Sequence, residues 1–284
     1  MSASIEFIYC RVVNGLPVNG LEVSVKTLLK KRSRFIIVMV TFALLCTFFT
    51  PYPSKVLRRI KWMVASVVTS VVAHKPIAVP VIYTAEDQIA TYGAPARARL
   101  LPKFQAKGVA YPPQRLTMVV IKSTNELMLY AAAADSTYKY ICTYPVLAAS
   151  GVLGPKLKEG DCQVPEGLYN LTLEPNTPYH LALRLNYPNP TDWAHAKEDG
   201  REQPGSDILV HGNQCSIGCI AMGDPASEDL FVAAYDTADK NLPLIISPVD
   251  FRTTAAPASN VTDPTWLPEL YSQIKAALSD LPTI

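Results

Sequence analysis

From residue 115 onward, short apolar runs alternate with polar breaks. LTMVVIKS (116–123), NELMLYAA (125–132) and YKYICTYPVLAAS (138–150) are rich in β-formers and are separated by Ser123–Asn125 and Asp135–Thr137, which predicts hairpin-connected strands. LYNLTLEP (168–175) and HLALRLNYPN (180–189) add two more, and LPLIISPV (242–249) a closing one. Between the last two, ASEDLFVAAY (226–235) predicts a helix whose acidic first turn suits the helix dipole. A second helix is predicted over 265–281, with Leu267, Leu270, Ile274 and Leu278 on one stripe that would dock on the domain. Trp193–Gly200 is polar, a lid or short helix, and its His195 is expected at the surface. The pattern as a whole is mainly β with short helices, an α+β domain of sandwich or barrel type.

Upstream the pattern changes. Residues 35–50 carry no charge and would span roughly 24 Å as a helix, somewhat short of the ~30 Å hydrocarbon core. The basic run Lys30–Arg34 before them suits the cytoplasmic side, so the C-terminal bulk would be exported, behind either a signal peptide or a signal anchor. A second apolar run over 58–74 is broken by Ser66, Thr69 and Ser70, and one crossing is preferred, with this run interfacial. Residues 75–92 have linker character, and 94–108 predict a short helix ending at Gly108. The expected layout is a cytoplasmic segment (1–34), a membrane-targeting segment (35–50), a juxtamembrane stretch (51–110), a catalytic domain (111–255) and a C-terminal extension (256–284). A net charge of +2 argues against nucleic acid as a partner.

Chemistry concentrates in DILVHGNQCSIGCIAMGD (207–224). An apolar run delivers His211, Gly212, Ser216 and Gly218 allow a sharp turn, and Cys219 follows: strand, tight loop, nucleophile. A thiol attacks as thiolate and needs a base beside it, for which imidazole is best matched near neutral pH. Gly218 would let a carbonyl approach and leave backbone N–H groups for an oxyanion. The alternative use of His211, Cys215 and Cys219 is as zinc ligands, but no second knuckle of CxxC or HxxxH type accompanies them.

VHG followed by SIGCIAM resembles the active-site signature of the YkuD-type L,D-transpeptidase family, above all its YafK-like branch. YPVLAASGVLGPKLKEGDCQVPEG (144–167) and LRLNYPN (183–189) resemble two further family blocks, in family order, over about residues 110–255. The resemblance implies His211 as base, Cys219 as nucleophile, and Ser216 and Gly218 as the residues that flank the usual second histidine. It also implies a substrate wall that includes Arg184, a carboxylate clamp by family position, with Asn186 and Tyr187 beside it. Lys156 is a further candidate to meet a peptide carboxylate, against the plainer expectation of a solvated loop.

Three departures accompany the resemblance. Ile217 replaces the second histidine, Ala221 stands where Arg or Asn is frequent, and the His-to-Cys interval is short. The lost groups are polar ones suited to an acceptor amine or the acyl-donor peptide, so the expectation is resolution of the acyl-enzyme by water, with transfer to an amine, as in an L,D-transpeptidase that crosslinks or attaches protein, as the alternative. The implied substrates are peptidoglycan stem peptides and wall-linked lipoprotein, in the periplasm, with the inner membrane reached through the N-terminal segment; the chemistry calls for no metal or organic cofactor. Of Cys142, Cys162 and Cys215, sequence alone chooses no disulfide; the YafK-like pattern favours Cys142 with Cys215.

Overall fold

Apolar runs without strict alternation need cover on both faces of a sheet, and the fold supplies it. The computed structural model describes residues 82–284 apart from 133–136, 259, 260 and 262. The strands are β1 (Arg115–Ile121), β2 (Glu126–Ala132), β3 (Tyr138–Pro145), β4 (Ala148–Ala149), β5 (Gly167–Thr177), β6 (His180–Leu185), β7 (Leu209–His211), β8 (Ile220–Ala221) and β9 (Pro243–Ser247). The helices are α1 (Ala85–Ala106), α2 (Pro190–Glu198), α3 (Asp224–Asp236) and α4 (Leu267–Ser279). The nine strands form one mixed sheet in the order β3-β2-β1-β9-β5-β6-β7-β8-β4. Its pairs are antiparallel except β1 with β9 and β7 with β8.

β5 joins the two halves. Its first residues pair with β9 and its later ones with β6, so a single strand carries the sheet from one half to the other. One core takes Leu116, Met118 and Val120 of β1, the inward leucines of β6, and Leu230–Ala234 of α3. The predicted α+β domain is present, with the sheet continuous instead of divided. On the other face Val119, Ile121, Met128 and Tyr130 meet Leu267, Leu270, Ile274 and Leu278 of α4. The C-terminal stripe therefore covers the half of the sheet that would otherwise expose β1 and β2.

The expected linker up to residue 92 is overturned by α1, which starts at Ala85 and not near 94. Thr84 accepts from the Asp87 N–H and Asp87 accepts from the Thr84 N–H, a capping box that fixes the start. Pro95 and Pro102 sit inside the helix, where each costs stability, and tertiary contacts outweigh them. Ala96, Leu100 and Phe104, spaced four apart, are fully buried in the core; each large side chain contributes about 2–3 kcal/mol. Ion pairs to α3 complete the joint: Arg97 with Asp236, and Arg99 and Lys103 with the buried Asp229, which also accepts from the Tyr144 hydroxyl.

The expected polar segment at 193–200 is largely α2, opened by an Asn189–Asp192 capping box. His195 is half-buried, not at the surface: its ring stacks on Trp266 at 4.0 Å. The membrane-targeting runs at 35–50 and 58–74 lie outside the described residues, among which no helix is long and apolar enough to cross a membrane. Two measurements check the α1 joint. Asp229→Ala strands two cations and a hydroxyl and is expected to cost about 2–3 kcal/mol by urea unfolding. Thr84→Ala removes one cap and is expected to cost about 1 kcal/mol.

Candidate active site

β7 and β8 place the two reactive side chains. Their parallel register aligns Val210 with Ile220 and His211 with Ala221, so Cys219, the residue before β8, falls opposite Leu209. Side chains of aligned residues share a face, so Cys219 and His211 lie on the same face, one position apart diagonally. The ladder continues outward: Leu209 is opposite Arg184, which is opposite Thr172, and His211 is opposite Ala182, which is opposite Glu174. Arg184 therefore shares a cross-strand row with Cys219, two strands away. Leu181, Leu183 and Val210, of the other parity, point into the core.

The loop 212–219 must turn back sharply to make β8 parallel to β7, and particular groups hold it. A Cβ on Gly212 would sit 2.6 Å from Asp224 Oδ1 and 2.9 Å from the Tyr179 carbonyl, so only glycine fits. Gly218 has φ 127°, a conformation open to glycine. Ser216 Oγ donates to the Cys219 carbonyl at 2.6 Å and accepts from the Ser150 N–H at 3.1 Å and the Gly218 N–H at 3.3 Å. Asp224 Oδ1 accepts from the Asn213 N–H at 2.8 Å. Ser216 thus shapes the nucleophile loop and does not touch His211 in any described hydrogen bond. The Gly218 N–H, expected at an oxyanion, rests on this hydroxyl through a long contact that a stronger acceptor would take over.

His211 is buried, and its Nδ1 lies 2.5 Å from the Gly212 carbonyl. A carbonyl only accepts, so Nδ1 carries the proton and Nε2 keeps the lone pair that a base requires. The Tyr179 ring lies 4.6 Å away at a tilt. Burial lowers the His211 pKa to about 4, the Gly212 hydrogen bond opposing the shift. The half-buried Cys219 thiol donates to the Asp207 carbonyl at 3.7 Å. Burial pushes its pKa up to about 11; the Leu209 N–H, Arg184 and Lys156 pull the other way, and Asp207 adds to the rise. Both shifts favour the neutral forms, a thiol and an imidazole on one face of the sheet.

The remaining expected residues divide. Arg184 has its Nε and Nη2 on Glu174 Oε2, at 3.0 and 2.8 Å, and its Nη1 on the Asp207 carboxylate. Asn186 accepts from the Asn170 N–H and so ties β6 to β5, and Tyr187 is buried and donates to the Pro204 carbonyl. Lys156 is neither solvated nor open to a ligand: it is buried and paired with Asp161, whose carboxylate also accepts from the N–H groups of Leu157, Lys158 and Gln163. Among the described residues no three His, Cys, Asp or Glu side chains converge as a metal site. The expected Cys142–Cys215 disulfide is not formed among the described residues. Cys142 lies on β3 and Cys215 on the loop between β7 and β8.

Sequence reasoning missed two supports. Lys122 pairs with the buried Glu166, which also accepts from the Gly154 N–H and the Tyr271 hydroxyl and so ties the loop before β5 to α4. Gln163 exchanges hydrogen bonds with both the N–H and the carbonyl of Val152. Lone charged and amide residues in a loop carried no periodic signal, although the PEG motif marked the position of Glu166.

The neutral pair makes a testable statement. Alkylation of Cys219 by iodoacetamide is expected to be slow near neutral pH and to rise about tenfold per pH unit toward about pH 11; a plateau already reached near neutral pH would contradict it. His211 adds a stability effect of known sign. Its folded pKa lies below the unfolded value, so the unfolded chain takes the proton first, and this contribution is lost as pH falls from about 6.5 toward 4.

No family model matches the chain. Two curated relatives, each described as "Putative L,D-transpeptidase YafK", from Escherichia coli K12 and O157:H7, are 33% identical to it over 115 residues. That alignment covers 39% of this chain and 44% of each relative, so the chain spans less than half the length of the curated relatives it matches. Among solved structures, the helical cell shape determining protein Pgp2 of Campylobacter jejuni (K307A mutant) aligns at 22% identity and TM-score 0.39, over 64% of this chain and 60% of that one. L,D-transpeptidase 1 of Mycobacterium tuberculosis aligns at 16% identity and TM-score 0.27, over 47% and 62%. Over those 115 residues the chain is similar to relatives described as putative L,D-transpeptidases of the YafK type.

Proposed function

We propose that the domain is a cysteine acyl-transfer enzyme that acts on peptidoglycan stem peptides and hydrolyses an amide at a diaminopimelate-linked position. The observation that carries this reading is the row on one sheet face that joins Cys219 to Arg184, with His211 diagonal to the sulfur. Nucleophile, base and a fixed cation for a peptide carboxylate are the set that acyl transfer on such a peptide needs. The similarity to the curated L,D-transpeptidase relatives supports the same class.

In this mechanism His211 Nε2 takes the Cys219 proton as the sulfur attacks the amide carbon. The oxyanion draws the Gly218 N–H away from Ser216 Oγ. Collapse expels the amine, which leaves with the proton from His211, and a thioester remains on Cys219. Water, deprotonated by the same imidazole, releases the acid and restores the thiol. The neutral resting pair fits a base that removes the proton during attack.

Water as acceptor is supported by what lies around the sulfur. Ile217 replaces a polar side chain, and Ala221 is fully buried between His211 and Ala148 in the ladder. The finer reading takes wall-linked lipoprotein as the substrate, outside the cytoplasmic membrane. The alternative, transfer of the acyl group to an amine, makes crosslinks or attaches protein.

Purified sacculi carrying bound lipoprotein, incubated with the protein and with its Cys219→Ala form, distinguish these outcomes by mass spectrometry. Released protein with a free terminal lysine, or one bearing diaminopimelate, in the active sample alone is the expected result. New crosslinked muropeptides without release would establish the transpeptidase, and identical products from both forms would remove the enzyme reading on this substrate.

A further inference from the structure

Asp207, immediately before the apolar run that leads into β7, makes two contacts that bear on the site at once. Its carboxylate pairs with Arg184 Nη1, and its carbonyl accepts the Cys219 thiol at 3.7 Å. The Asp207 side chain is 80% exposed, and an ion pair open to water is one that a competing ion exchanges at little cost. Its backbone lies at φ 58°, a left-handed conformation that a residue with a side chain holds only against some strain. Arg184 does not need Asp207 to stay aimed, because its Nε and Nη2 remain on Glu174. Nη1 is thus the edge of the guanidinium whose partner can be exchanged.

We propose that Asp207 is a positioning residue, a latch that holds the thiol idle until a carboxylate of the substrate replaces it on Arg184. The inference rests on the proposed function, in which Cys219 attacks an amide of a peptide that bears such a carboxylate. The incoming carboxylate takes Nη1, the Asp207 side chain goes to solvent, and its backbone relaxes from the left-handed region. The carbonyl then leaves the sulfur, whose hydrogen turns to His211. The S–H bond breaks, an N–H bond forms on Nε2, and the electron pair left on sulfur attacks the carbonyl carbon. Arg184 and Cys219 are two strands apart in one row, so the ligand is a peptide whose free carboxylate lies roughly 10 Å from the scissile carbonyl. A peptide amidated at that carboxylate leaves the latch closed. Selectivity then comes from releasing the thiol as well as from binding.

The test is the rate at which iodoacetamide alkylates Cys219 in the full protein, with N-acetyl-D-alanine as the carboxylate probe and its amide as the neutral control. In the wild type the carboxylate is expected to raise the rate several-fold and saturably, and the amide to leave it unchanged. Asp207→Asn is expected to be several-fold faster without probe and to gain nothing from it; Asp207→Gly, which keeps the carbonyl and relieves the strained backbone, serves if the first variant does not fold. Arg184→Ala is expected to lose the response to the carboxylate. Alkylation goes through the thiolate, so the latch is read as a fall in the apparent thiol pKa on its release; Glu174→Gln, which removes a negative charge from Arg184 and leaves the Asp207 carbonyl in place, controls for charge, and an equal fall in that variant overturns the latch. So does a carboxylate that slows alkylation or leaves it unchanged in the wild type. Turnover of wall substrate without the carboxylate response removes the latch alone, whereas an intact response without wall turnover removes the proposed substrate and leaves the latch standing.

Discussion

The site depends on a short parallel connection. β7 and β8 run in the same direction yet are joined only by the loop 212–219, where parallel neighbours usually require a dozen or more residues and a helix. So short a return is closed by close approach at Gly212, by the open conformation at Gly218, and by Ser216 and Asp224, which take up backbone groups the turn would otherwise strand. In exchange the connection delivers Cys219 at the entrance of β8 on the same face as His211. A longer crossover would place nucleophile and base with more freedom and less definition.

Charge is used in two ways. Lys122 with Glu166, Lys156 with Asp161, and Asp229 with Arg99 and Lys103 fix loops and α1 against the sheet, each with at least one partner largely withdrawn from water. These pairs gain little net energy over apolar packing, but losing one partner would strand the other. At the sulfur the logic is reversed. The Arg184–Asp207 pair is exposed, and the reactive thiol and imidazole are both neutral. The scaffold is held by ion pairs with a buried partner, and the face around Cys219 carries an exposed pair with two groups whose shifts favour the neutral form.

Much of this was legible in the sequence because it rests on local pattern. Short apolar runs between polar breaks located the strands, the leucine stripe located α4, and glycine and serine around a cysteine marked the loop that carries Cys219. What stayed hidden depends on tertiary contacts. α1 was legible from residue 94 on, but its first turns, 85–93, read as linker until the capping box at Thr84 fixes their start. Lys156 has the look of a solvated loop residue until Asp161 folds over it. Arg184 was expected in the substrate wall by family position, but its two carboxylate partners, Glu174 on β5 and Asp207 just before β7, could not be chosen by spacing. The disulfide expectation rested on a family pattern alone, and no such bond is formed among the described residues.

Intact-mass spectrometry of protein quenched in acid during exposure to peptidoglycan fragments tests the central claim most directly, namely that Cys219 attacks and His211 takes its proton. The wild type should carry an acyl adduct that maps to Cys219, absent from Cys219→Ala and formed at least about a hundredfold more slowly in His211→Asn near neutral pH. An adduct on another residue, or one that forms as fast in His211→Asn as in the wild type, would contradict the account.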